Sequence, residues 1–372
     1  MAIKFKTDKQ NLLSLILPAA SLASSKSTLP ALEGILLSLD GNTLSICGYD
    51  LEKGVQCKGE VFSSEDGEII VNAQKIAAIV KSMPEGEISF ECKSKDIVEI
   101  KGNMSDFSIQ GLSANAYPNL PSFGGKKSFS IEKETVKNLI QKTYFAVSQN
   151  DARPILMGEY IELEENEIKI VSLDNFRLAL RTKKSKLSST EEKINFVVPG
   201  KSLIEFSKLI EDNDDPVKIE VSEKHIVMSF DNKVFFSRLL EGEFIDYERA
   251  LPKANKISVK INKEDLISSV ERAALIVDEK LRTPIRCNFS GNDLIISCST
   301  SHGSVNEVIA IEKEGPDIEI GFNYRYLLDA LRNADDDILT LGMSTPNLSM
   351  VISGESEEKG SYTYLVLPCH LK

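Results

Sequence analysis

Residues able to do chemistry are few and scattered along this chain. His225, His302 and His370 stand alone, and the six cysteines (Cys47, Cys57, Cys92, Cys287, Cys298 and Cys369) show no C-x-x-C spacing. No metal site of ordinary His/Cys spacing can be assembled locally. Most of the cysteines sit in apolar, strand-like runs and read as buried, reduced thiols of a cytosolic protein. The GGKKS run at Gly124 to Ser128 contains a fragment of a phosphate loop. Such a loop needs G-x-x-x-x-G-K-[ST] between a strand and a helix, so the run reads as a linker. G-x-G-x-x-G, G-x-S-x-G and H-E-x-x-H are all missing. Carboxylates abound in EGEISFE, LEENE and NADDD, but they fall in turns and on exposed strand faces where solvation accounts for them. The expectation is no catalytic residue, no cofactor and no metal. A hydrolase built from distant, converging carboxylates stays open as an alternative.

The chemistry that does recur is cationic. Lys81, Lys208 and Arg332 occupy one position of a repeated helix, and Lys75, Lys201 and Arg325 stand near its start. First helices add Lys9, Lys133, Lys137, Lys142, Lys263 and Arg272, diluted by Glu134, Glu264, Asp265 and Glu271. The net charge is nevertheless −12, which argues at first against a polyanion partner. The acidic excess lies in strands and turns such as Glu65-Asp66, Glu162 to Glu167 and Asp212 to Asp215. A basic helical face inside an acidic body can therefore hold a nucleic-acid backbone without reading its sequence.

The elements that position these cations are repeated three times. Helices begin at Lys9, Lys133 and Lys263, with apolar residues at helical spacing through Ile16, Ile140 and Val270. Pro30, Pro154 and Pro284 follow at the same intervals, 124 and 130 residues, and read as the openings of strands. A second helix recurs as NAQKIAAIVKSM, PGKSLIEFSKLI and NYRYLLDALRNA, aligning Ile76, Leu203 and Leu327. Alternating strands such as Glu87 to Cys92 and Val217 to Val221 come next, and each copy closes on Leu-Pro: Leu120-Pro121, Leu251-Pro252 and Leu367-Pro368. Copies of this length are whole domains, with expected boundaries 1–125, 126–253 and 254–372. The fold class is α+β, each domain laying two helices on antiparallel strands. A hydrophobic content of 42% and the lack of any run near 18 apolar residues argue against extended disorder and a membrane span. Lys4, Lys6 and Lys9 ahead of Leu12 to Leu17 loosely imitate a secretion signal, but Asp8, Pro18 and the repeat register assign them to a structural helix.

TLPALEGILLSLDGNTLSICGYDLE, AYPNLP, QNDARPILMGEYIE, SLDNFRLAL, DYERALP, GFNYRYLLDAL and YLVLPCHLK, in this order along nearly the whole chain, resemble the bacterial sliding clamps, the β subunits of DNA polymerase III. The resemblance implies a cytoplasmic, non-enzymatic processivity factor: a head-to-tail homodimer whose six domains form a ring around double-stranded DNA, lined by the helices. Partners would be the polymerase III catalytic subunit, the clamp loader and repair polymerases, bound through short linear motifs. Carried over by motif, the peptide pocket comprises Arg153, Leu156, Leu173, Asn175, Arg177, Leu178, Ile245, Arg249, Ala250, Tyr326, Ser349, Leu365 and Leu367. DNA contacts would be Lys26, Asn150 and Lys201, with Lys81, Lys208 and Arg332 on the helices. The dimer contact would join Phe107 to Leu275 and Ile276. The sequence departs from the family pattern at Asn175, Ala250 and His370, and at Met104 and Asp106 beside Phe107, so motif preference and interface ion pairs differ. An adaptor that binds peptides and never touches nucleic acid is the competing reading.

Overall fold

The computed structural model of the chain describes residues 3–121, 127–150, 152–164, 166–184, 193–278, 280–281, 283–356 and 360–371. The expected linker at Gly124-Gly125 and the 125/126 boundary lie outside the described residues. The first copy runs β1 (Ile3–Asp8), α1 (Lys9–Leu22), β2 (Gly34–Asp40), β3 (Thr43–Tyr49), β4 (Lys53–Glu60), β5 (Phe62–Glu65), β6 (Gly67–Asn72), α2 (Ala73–Ser82), β7 (Glu87–Cys92), β8 (Ile97–Gly102) and β9 (Ser105–Gln110). The second runs β10 (Lys127–Glu132), α3 (Lys133–Thr143), β11 (Gly158–Glu164), β12 (Glu167–Leu173), β13 (Arg177–Lys184), β14 (Ile194–Pro199), α4 (Gly200–Leu209), β15 (Pro216–Val221), β16 (His225–Phe230) and β17 (Lys233–Arg238). The third runs β18 (Ile257–Asn262), α5 (Lys263–Ala274), β19 (Ile285–Ser290), β20 (Asp293–Thr300), β21 (Gly303–Ala310), β22 (Glu312–Glu314), β23 (Ile318–Phe322), α6 (Tyr324–Asn333), β24 (Ile338–Met343), β25 (Met350–Ser356) and β26 (Gly360–Val366).

Local chemistry sets the helix starts. Asp8 accepts from the Gln10 amide at 2.8 Å and Asn262 from that of Asp265 at 3.1 Å, while Asn72 and Asn323 cap α2 and α6 in the same way. The apolar stripes face inward: Ile16, Ile140, Val270, Ile76, Leu203 and Leu327 are all buried. The lysine that opens each first helix is not a solvated cation. Lys9 donates to the Met83 carbonyl at 2.6 Å, Lys133 reaches Asp231 at 2.7 Å while only 1% exposed, and Lys263 lies 3.5 Å from the Ala334 carbonyl. Lys9 and Lys263 tie the start of one helix to the turn after the next, and Lys133 reaches the β16–β17 turn. All three leave the cationic inventory. Pro30 and Pro154 open short 3-10 turns, Pro30–Glu33 and Pro154–Met157, rather than strands, because the fixed φ of proline suits a first helical position. Pro284 alone directly precedes its strand.

Strand pairing ignores the repeat boundaries, and the chain packs as two compact units. One unit, Met1–Lys133 with Glu205–Leu239, holds a five-stranded sheet ordered β5-β1-β7-β8-β9 and an eight-stranded sheet ordered β10-β15-β16-β17-β4-β3-β2-β6. In the second sheet β17 of the second copy pairs with β4 of the first. The other unit, Glu134–Ile204 with Leu240–Lys372, holds a nine-stranded sheet ordered β14-β11-β12-β13-β26-β25-β24-β18-β22 and a four-stranded sheet ordered β21-β20-β19-β23. There β26 of the third copy pairs with β13 of the second. Both joints follow one rule: the last strand of a copy lies against the third strand after the first helix of the copy before it.

A buried arginine secures the second joint. Arg181 on β13, 1% exposed, donates to the Tyr364 hydroxyl at 2.8 Å, the Asn138 side chain at 3.1 Å, the Asn333 carbonyl at 3.1 Å and the Asp335 carboxylate at 2.6 Å. A planar guanidinium with five donors satisfies β26, α3 and the end of α6 at once. Glu159 on β11 is the opposite case. It is fully buried, Oε1 lies 3.3 Å from the Thr143 hydroxyl, and Oε2 has no partner. Burial pushes this carboxyl well above the usual range, so it is held neutral.

Candidate functional site

Where β13 meets β26, the face of the sheet turned away from the helices carries an apolar cluster. Ile155, Leu156, Val171, Leu173, Leu178, Val197, Tyr247, Val351 and Leu365 are buried in it, with Tyr160, Leu180, Leu240, Phe244 and Leu251 packed against them. Leu178 and Leu365 face each other across the joint. Four of the expected pocket residues, Leu156, Leu173, Leu178 and Leu365, thus form one floor.

The β12–β13 turn builds the rim. Asp174 accepts from the amides of Phe176 at 2.7 Å and Arg177 at 2.9 Å, which folds the turn tightly and projects Asn175 and Phe176 outward. Arg153 donates to Asn175 at 2.9 Å, so this departure from the family pattern is engaged in the rim. Arg177 is held by Asp174 at 3.1 Å and by Asp329 of α6, and its guanidinium stands 4.7 Å from the centre of the Tyr326 ring. Phe176 stacks on the same tyrosine at 5.3 Å. Leu367 donates its amide to the Phe176 carbonyl at 2.8 Å, pinning the segment after β26 to the turn.

Of the other expected pocket residues, Ile245, Arg249 and Ala250 lie on the connector from β17 to Leu251, whose Tyr247 belongs to the floor. Arg249 is largely exposed and pairs with Asp246 at 2.8 Å. Ser349 directly precedes β25. Exposed apolar side chains stand on the β12–β13 turn, the connector after β17 and the segment after β26: Phe176, Ile245 and Leu367. A buried aliphatic floor with an exposed apolar rim and fixed arginines can receive the leucine or phenylalanine of a peptide and orient its polar end. Phe176, Asp174, Tyr247 and Asp329 were missed by the sequence reading. Asp174 and Phe176 lie inside the quoted SLDNFRL motif, and the Asp-x-x-Arg spacing of a turn was the available signal.

The first joint, between β17 and β4, carries the counterpart cluster differently filled. Tyr49 and Phe236 stand where Leu173 and Leu365 stand, their rings 5.4 Å apart, and Gly54 replaces Leu178. A side chain at Gly54 would run into the Phe236 ring. Aromatic packing closes here what aliphatic residues leave shaped at the second joint.

Lys26, Lys81 and Lys208 are exposed in one unit, Asn150, Lys201 and Arg332 in the other. Lys26 follows α1 in a loop, Lys81, Lys208 and Arg332 end their helices, Lys201 starts α4 and Asn150 precedes the Pro154 turn. Lys208 is paired with Glu205 at 2.9 Å and Arg332 with Glu271 at 2.6 Å, which offsets part of their charge. Phe107 lies on β9, the outer strand of its sheet. Leu275, 83% exposed, and the half-buried Ile276 follow α5 in the unit whose four-stranded sheet ends on β21. Among the described residues no group of three His, Cys, Asp or Glu side chains could hold a metal, and no helix is long and apolar enough to cross a membrane.

Comparison with known proteins matches this architecture along its length. Family models described as the N-terminal, central and C-terminal domains of the DNA polymerase III beta subunit match residues 3–121, 130–246 and 248–370. A beta sliding clamp of Bacillus subtilis is 31% identical over 342 residues, 89% of this chain and 90% of that protein. One of Pseudomonas putida is 31% identical over 371 residues, covering 99% and 100%. Among solved structures, the sliding clamp of Bacillus subtilis superposes with a TM-score of 0.95 at 28% identity over all of both chains. A Pseudomonas aeruginosa clamp bound to griselimycin gives 0.93 at 29% over all of both chains.

Proposed function

The chain belongs to the DNA polymerase III beta-subunit family, and from that premise we propose how this sliding-clamp processivity factor closes on DNA and holds its partners. Two copies join head to tail into a ring around duplex DNA, and the ring acts without catalysis of its own. The carrying observation is the pair of strand edges left over by the joint rule. Each internal joint sets a copy's last strand against the third strand after the first helix of the preceding copy. Among the described strands, the last strand of the first copy, β9, and the third strand after the first helix of the third copy, β21, are the two that find no such partner. Unpaired edges call for cover. Joining β9 of one molecule to β21 of another would merge five strands with four into a nine-stranded sheet, like the one across the second and third copies. Phe107 sits on the first edge, and Leu275 and Ile276 follow α5 near the second. The boundaries 1–125, 126–253 and 254–372 remain the sequence domains of this scheme.

DNA passes along the helices, with Lys26, Lys81, Asn150, Lys201, Lys208 and Arg332 touching phosphates and no base edge. Encirclement, not affinity, retains it, so a net charge of −12 is no obstacle. The floor of Leu156, Leu173, Leu178 and Leu365 takes short linear motifs of the polymerase catalytic subunit, the clamp loader and repair polymerases, in the cytoplasm. The experiment is retention on DNA after loading. A nicked circle should hold the protein, and linearising it should release the protein; equal retention on both forms refutes encirclement. Loss of motif-peptide binding on Phe176→Ala with unchanged ring formation supports the pocket, and unchanged binding removes Phe176 from it.

A further inference from the structure

A groove of about 410 Å³ lies on the outer face of β2, β3 and β4 in the first copy, over Leu36, Cys47, Gln56 and Leu120. The repeat identifies what should cover it. Leu36, Cys47 and Gln56 correspond to Tyr160, Val171 and Leu180, each 124 residues later, and Leu120 to Leu251 at the shared Leu-Pro. In the second copy those counterparts are roofed by the chain itself: Phe244, on the connector after β17, stacks on Tyr160 with ring centres 4.9 Å apart. The connector of the first copy, from Gln110 to Leu120, is shorter than the one from Arg238 to Leu251. It bridges to Ile70 through Leu112, turns through Ala114–Ala116 and supplies Tyr117 as the match of Tyr247, but it has no match for Phe244. Its groove stays open.

The polar lining differs in the same sense. In the second copy Glu162 is met by Lys169 at 3.4 Å and Lys193 at 3.1 Å. In the first copy the positions of Glu162 and Lys169 are Ser38 and Ser45, and the groove carries the acids Asp40 and Glu68 against the single cation Lys58. Glu68 accepts from Ser38 at 2.6 Å, whereas Ser45 Oγ is buried without a partner. Apolar floor and acidic margin together specify a cationic, aromatic visitor.

We infer that this groove docks an extended segment of a partner protein that carries an aromatic side chain flanked by lysine or arginine, the aromatic ring lying over Leu36 and Leu120 as Phe244 lies over Tyr160. The full-length chain, labelled at its leucine methyl groups, would be titrated with the peptide acetyl-Gly-Lys-Phe-Lys-Gly-amide and with its Phe-to-Ala and Lys-to-Glu analogues. Saturable shifts of the Leu36 and Leu120 methyls are expected with the first peptide, weakened at least tenfold by either change and by the exposed-site variant Asp40→Lys. No shift at millimolar peptide overturns the inference. So does equal binding of the Phe-to-Ala analogue, which would leave an ionic contact only, or a response confined to Leu156 and Leu365, which would place the peptide in the other cluster. None of these results depends on ring closure.

Discussion

Replacing Glu159 with glutamine tests whether a buried carboxyl is held neutral inside the second copy. Glu159 is fully enclosed, one oxygen has no partner and the other only the Thr143 hydroxyl at 3.3 Å, so ionising it in place would leave an unpaired buried charge. Burial raises its pKa well above the usual value, whereas the unfolded chain ionises normally. The folded state then binds the proton more tightly, and stability is full below the unfolded pKa, about 4.3, and falls as pH rises toward the folded one. The slope is about 1.4 kcal/mol per pH unit while the folded group stays protonated. Glutamine keeps the shape and removes the titration. Between pH 5.5 and 7.5 the native chain should therefore lose stability relative to Glu159→Gln, with about 2.7 kcal/mol as the ceiling reached when the folded group stays protonated throughout. That ceiling corresponds to on the order of 5 °C in the melting of the unit that contains it. Thermal midpoints of both proteins at the two pH values measure it. A difference between the proteins that does not change with pH would refute the reasoning.

Arg181→Met should cost about 3–5 kcal/mol, because Asp335 and three other groups lose a buried partner; denaturant midpoints check this, and a loss under 1 kcal/mol would show the network to be dispensable. Gly48→Ala should destabilise by about 1–3 kcal/mol or more, since a methyl there would meet the backbone of Ala19 on α1; hydrogen exchange in α1 should rise with it. At pH 8 the thiols of Cys47, Cys57 and Cys287, each pushed up to about 12 chiefly by burial, should resist alkylation until unfolding, with the half-buried Cys369 reacting first. Fast modification of Cys287 in the native protein, followed by peptide mapping, would contradict its enclosure.

The repeat was legible because helical periodicity reports burial directly: Ile16, Ile140 and Val270 had to face a core. Lys9, Lys133 and Lys263 were counted among the cations of the first helices, since a lysine looks solvated in sequence until a carbonyl or carboxylate from a distant turn is seen to reach it. Glu159 carried a usable signal. In GEYIELE it alternates with Ile161 and Leu163, so period two places it on the buried face. The floor leucines could not be told from ordinary core by pattern alone, and only resemblance to a family selected them. Phe176 escaped because its exposure depends on a turn closed by Asp174 and on a tyrosine 150 residues away.

The joint rule has a further consequence for direction. Both joints within the chain run with the same polarity, last strand onto the preceding copy, and an assembly extended by that rule has no axis exchanging its two sides. In the proposed ring every floor of this kind would then open toward the same side. Such a ring would have a front and a back on duplex DNA, telling an enzyme that grips it which way it faces before a single base is read.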